Sequence, residues 1–65
     1  MALTELGQLL IDGLQLCRLE EWQRTVIYLK MDSPEKKLEM ARFIGTHNDA
    51  TAEELMAAAA EIAGE

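Results

Sequence analysis

Apolar residues recur at intervals of three and four along almost the whole chain, and that spacing narrows its fold more than any other feature. Leu3, Leu6, Leu10 and Leu14 stand 3, 4 and 4 apart, and Leu19, Trp22, Val26 and Leu29 stand 3, 4 and 3 apart. Leu38, Ala41 and Ile44 form a third series, and Leu55, Ala58, Ala59 and Ile62 a fourth. A helix turns about 100° per residue, so each series lines one side of a helix, whereas a strand needs alternation with a period of two. The palette agrees. Leu, Ala, Ile and Met supply most of a hydrophobic fraction of 49%, while aromatics make up only 5%, and strand-forming residues are few.

The joints between these series are marked by residues that stop or start helices. Gly13 suits the residue that ends a helix, with Leu14 folding back behind it, which places the first helix near 3–12. One long helix over 3–30 is the alternative, disfavoured by Gly13 and by the alternating apolar positions of the following "GLQLC". The second helix, near 18–30, has a poorly marked start because no Ser, Thr, Asp or Asn closely precedes Leu19. Glu20 and Arg24 are spaced for an i,i+4 pair on its solvent side. "MDSPEKK" is a stop-and-start signal: Pro34 fits a first helical turn, Asp32 or Ser33 can cap it, and Asp32 with Glu35 has capping-box spacing. The third helix then runs near 34–44 and Gly45 ends it. Thr51 and Glu54 form a second capping-box pattern, Ala50 and Leu55 the matching hydrophobic staple, and Gly64 closes a fourth helix near 52–63.

These segments predict an all-α fold, a small bundle of about four short helices in a single domain over 1–65, packed as two antiparallel hairpins. The expected core is Leu6, Leu10, Leu19, Trp22, Val26, Leu29, Leu38, Ala41, Ile44, Leu55, Ala59 and Ile62. A chain of 65 residues hides only about 60% of its unfolded surface, so its stability is thin without a staple or a partner. That arithmetic favours self-association.

Charge excludes some functions. The net charge is −6, of which residues 1–31 carry −1 and residues 32–65 carry −5, with no Lys or Arg after Arg42. Such a surface repels phosphate backbones, so direct nucleic-acid binding is not expected. A helix-turn-helix reader over 34–63 fails for the same reason, because its recognition helix would offer acids and alanines where base-contacting side chains belong. No apolar run approaches the roughly 18 residues of a membrane span. The opening residues have no basic leader, and Cys17 is the single cysteine, which together point to the cytoplasm.

The one stretch with a chemical look is "RFIGTHNDATAEEL", which holds the only histidine. A metal site needs several ligands, and His47 has no second His and one Cys in the chain to join it. The calcium-loop pattern lacks its glycine, and no nucleophile turn accompanies Ser33. His47 therefore reads as a solvated residue in a capped turn, and Cys17 as a small apolar residue without a recognisable base. Neither a cofactor, a metal nor an enzymatic activity is expected.

The apolar surplus is more informative. After the core is filled, Ile11, Ile27, Tyr28, Met31, Met40, Phe43 and Met56 are left over. Of these, Tyr28, Met31, Met40 and Phe43 make the candidate interaction surface, since Met suits adaptable binding faces. The expected function is a small non-catalytic protein-interaction module of bacterial or phage type, acting on a protein partner or as a homo-oligomer. The alternative is an acidic inhibitor that imitates nucleic acid, with Glu53, Glu54 and Glu61 as its face.

Overall fold

The computed structural model describes residues 3–65. Among the described residues there are four helices and no strand: α1 (Leu3–Gln15), α2 (Glu21–Lys30), α3 (Pro34–Thr46) and α4 (Ala52–Ala63). No helix among them is long and apolar enough to cross a membrane.

Local signals fix most of the boundaries. The Ser33 hydroxyl accepts the Lys36 backbone N–H at 3.2 Å with Pro34 in the first turn, so Ser33 caps α3. Asp32 pairs with the Lys36 ammonium at 3.0 Å instead of forming the expected box with Glu35. At α4 the Thr51 hydroxyl accepts the Glu54 N–H at 3.2 Å, and the Glu54 carboxylate accepts the Thr51 N–H at 3.3 Å. Gly64 ends α4 at φ 85°, a left-handed conformation that costs glycine nothing. The start of α2 has a cap after all: the Gln23 side chain accepts the Glu20 N–H at 2.9 Å.

Two glycines do not stop their helices. Gly13 and Gly45 keep helical geometry, α1 continues to Gln15 and α3 to Thr46, and Gly64 alone among the described residues has positive φ. The break between the first two helices therefore comes at residues 16–20, later than Gly13 implies, and residues 3–30 hold two helices.

The helices close into a ring in the order α1, α3, α4, α2, with α1 packing most extensively on α3. Chain neighbours share sides, as two hairpins require, but the largest interface joins helices that are not consecutive. Leu6, Leu10 and Leu14 of α1, Leu19 of the first link, Ile27 and Met31, Met40 and Ile44 of α3, and Leu55 and Ala59 of α4 are buried at the centre. The side chain of Leu3, first in the α1 series, lies outside the described residues.

The expected core of α2 is wrong in orientation. Trp22 is 57% exposed and Leu29 69% exposed, while Ile27 and Met31 are fully buried. Val26, Leu38, Ala41 and Ile62 are half-buried. The helix is apolar on two sides, and it turns inward the side that sits about half a turn away from the Trp22 stripe. Ile27 and Met31 each gain about 1.5–3 kcal/mol from full burial, and the packing of α2 against α4 and α1 selects that side over the Trp22 stripe. The Glu20–Arg24 pair does not form. The ion pairs among the described residues are Lys36–Asp32 and Lys30–Glu65, and Arg24 donates to the Leu19 carbonyl at 2.8 Å.

Candidate interaction surfaces

The orientations of α2 and α3 redistribute the expected surface. Met31 and Met40 are fully buried, so neither belongs to an open face. Tyr28 and Phe43 are half-buried against the core that contains those methionines. The Lys37 ammonium lies 5.3 Å from the Tyr28 ring centre and donates to the Met31 carbonyl, which covers this region further. The four residues pack in and around the core and do not form an exposed patch.

Glu53, Glu54 and Glu61 are all exposed on α4. Glu54 is engaged in the α4 cap, while Glu53 and Glu61 stand two turns apart, about 12 Å along the axis. Glu61 also borders a cleft between α3 and α4 together with Glu39.

His47 is the C-terminal cap of α3. Its ring stacks on Phe43, and its Nδ1 lies 2.9 Å from the Phe43 carbonyl oxygen. Among the described residues no group of three or more His, Cys, Asp or Glu side chains is arranged to hold a metal. The Cys17 thiol donates to the Gly13 carbonyl at 3.3 Å, and burial pushes its pKa up, the opposite of what an activated nucleophile needs.

Among the described residues, large apolar side chains are exposed in two places. The first is the outer side of α2, where Trp22, Thr25, Val26 and Leu29 fall within about 100° of arc. The Trp22 indole N–H donates to the Glu20 carboxylate, which ties the ring to the helix start. Thr25 turns its hydroxyl back to the Glu21 carbonyl at 3.1 Å, leaving its methyl group for the face. Beside this stripe a cleft of about 220 Å³ between α1 and α2 is lined by Ile11, Leu14, Tyr28 and Leu29.

The second is a groove of about 550 Å³ between α1 and α3. Leu9, Leu16, Leu38 and Ala41 supply its apolar walls. Leu16 is 88% exposed, more than any other large hydrophobic residue among the described residues. Asp12 on the α1 side and Arg42 on the α3 side border it with opposite charges and make no ion pair with each other. Gly13 and Gly45 also line it, and a Cβ added at Gly45 would meet nothing within 4 Å.

Both surfaces left a trace in the sequence. Leu9 stands on a side of α1 that the Leu6, Leu10, Leu14 series does not use, and Leu16 follows seven residues later, just past the end of α1. Ile27 of α2 and Met31, its C-cap, form a second i,i+4 apolar pair opposite the Trp22 stripe. Two apolar sides on one short helix announce that one of them faces out.

No protein-family model, no curated protein and no solved structure matches this chain.

Proposed function

We propose that this chain is a non-catalytic protein-interaction module whose α2 outer face docks on a protein partner. The exposure of Trp22 and Leu29 on one uncharged stripe carries this reading. Isolated surface hydrophobes are ordinary, but a Trp with aliphatic neighbours along a helix is the composition of an interface centre. Such a helix seats its stripe in a groove or against another helix through residues at i, i+4 and i+7. The reading takes the chain to be a cytoplasmic protein of a bacterium or phage, with no role in direct nucleic-acid binding.

The test is affinity capture from the source cells with the wild-type chain and with Trp22→Ser/Leu29→Gln as baits. Circular dichroism of the two should agree, since neither residue is in the core. The expected result is a partner retained by the wild type and lost by the variant. Equal capture by both baits would refute the role of this face.

A second reading, an acidic inhibitor that fills the nucleic-acid groove of a basic protein, draws on one observation. Glu53, Glu54 and Glu61 share one exposed side of α4, with Glu39 bordering the same cleft as Glu61. It requires salt-sensitive binding that disappears when all three are changed to Gln.

A further inference from the structure

We infer that the α1/α3 groove is a self-association site, in which the Leu16 side chain of one copy enters the groove of a second copy and the reverse contact forms about a two-fold axis. This surface is separate from the α2 outer face, so the inference does not rest on the proposed function above.

A two-fold interface must be complementary to itself, which means that one patch has to present both a projection and a recess, and both signs of charge. The α1/α3 face meets each condition. Leu16 is the projection, 88% exposed at the edge of the groove. The recess is about 550 Å³, ample for an aliphatic side chain and its neighbours. Asp12, whose carboxylate accepts the neutral Gln8 amide at 2.8 Å, and Arg42 supply opposite charges at the groove and make no ion pair with each other. In a two-fold pair, Asp12 of each copy lies toward Arg42 of the other, which favours the symmetric arrangement over a misaligned one.

The glycines add an independent argument. Gly13 and Gly45 are helical, neither has positive φ, and neither is forced by close packing. At Gly13 an added Cβ would make only ordinary contact with Ile44 at 3.5 Å, and at Gly45 it would point into open space. The usual reasons for glycine are absent, yet both residues line the same groove. Their missing side chains keep that groove open and let a second backbone come close.

The area required is a modest share of the molecular surface. A standard interface takes about 800 Å² from each partner, under a fifth of the 4449 Å² that this molecule exposes.

The test is light scattering coupled to size exclusion, together with sedimentation equilibrium, over a wide range of concentrations. The wild type should show a reversible monomer–dimer equilibrium. Leu16→Lys removes the projection, and Gly45→Leu fills the recess at a position with room for the side chain. Each should weaken dimerisation by about tenfold or more, with an unchanged circular dichroism spectrum. Arg42→Asp alone and Asp12→Arg alone should weaken it too, and the double variant Asp12→Arg/Arg42→Asp should restore it. A wild type that stays monomeric at the highest concentration overturns the inference. So does a dimer that survives Leu16→Lys and Gly45→Leu, or one abolished only by Trp22→Ser/Leu29→Gln, which would place the contact on α2. Partner capture through α2 should be unaffected by the groove variants, so the two surfaces fail or succeed separately.

Discussion

The His47 imidazole lies flat on the Phe43 ring, with centroids 4.0 Å apart and planes inclined by 13°. The pair closes the last turn of α3, because the same ring nitrogen reaches the Phe43 carbonyl and the Thr46 hydroxyl, each at 2.9 Å. The only histidine of the chain thus has a structural role. His47→Ala should lower stability by about 0.5–1 kcal/mol, the range of an aromatic pair at a partly open site. His47→Phe keeps the stack and should lose less. Zinc added to the wild type should leave its melting temperature unchanged, whereas a clear rise would reveal ligation that the geometry does not provide.

Gly7 and Tyr28 test the seam between α1 and α2. A Cβ on Gly7 would come 3.2 Å from the Tyr28 hydroxyl oxygen, closer than comfortable contact. Gly7→Ala gains about 0.5–1 kcal/mol of helix propensity and loses some of it to this crowding. In a Tyr28→Phe background the obstacle is gone, so Gly7→Ala should stabilise there by nearly the full propensity gain. Denaturant unfolding of the four proteins measures the coupling. Equal effects of Gly7→Ala in both backgrounds would show that the two helices do not meet as described.

The two sides of α2 make opposite demands on mutation. Trp22→Ala and Leu29→Ala should each change stability by less than about 0.5 kcal/mol, as surface substitutions do. Ile27→Ala, Met31→Ala and Met40→Ala should each cost about 2–5 kcal/mol, because each leaves a void in a fully buried site. For a chain of this size the larger losses approach its whole stability. Trp22 fluorescence should be quenched readily by iodide in the native protein. A blue-shifted, protected Trp22 in the monomer would reverse the assignment of the two sides.

Burial of the Cys17 thiol and its bond to the Gly13 carbonyl predict slow alkylation. Iodoacetamide at mildly alkaline pH should react more slowly with the folded chain than with the urea-unfolded one. The sign of the linked stability follows from the raised pKa. Any contribution is complete below the ordinary thiol value of about 8.5 and is lost as pH rises from there through the folded value, because the unfolded chain ionises first. A thiol that reacts at the same rate in both states would show that Cys17 is not sheltered.

The parts of this fold that were legible in the sequence are those decided within four or five residues. Pro34 with Ser33, Thr51 with Glu54, and Gly64 at the end of α4 all act through their own backbone neighbourhood, so their residue types sufficed. The α2 orientation was not local. Trp22, Val26 and Leu29 look as suitable for a core as Ile27 and Met31 do, and only the placement of α1 and α4 selects between them. Gly13 and Gly45 misled for a related reason: glycine in a last turn usually signals a left-handed stop, and here it borders a groove that forms only when α1 meets α3. The expected surface of Tyr28, Met31, Met40 and Phe43 rested on two orientations that sequence spacing does not fix: α2 turns Met31 inward, and α3 turns Met40 inward from within a wide apolar arc.

The pairing of α1 with α3, and of α2 with α4, has a consequence for how the molecule assembles. Neither half of the polypeptide closes its own apolar side, so an early intermediate made of the first two helices alone keeps much of that side wet. The decisive step is the arrival of the third helix on the first across an intervening element, a sequence-distant event in an otherwise short-range topology. Folding is therefore expected to be all-or-none, with no stable half-built stage.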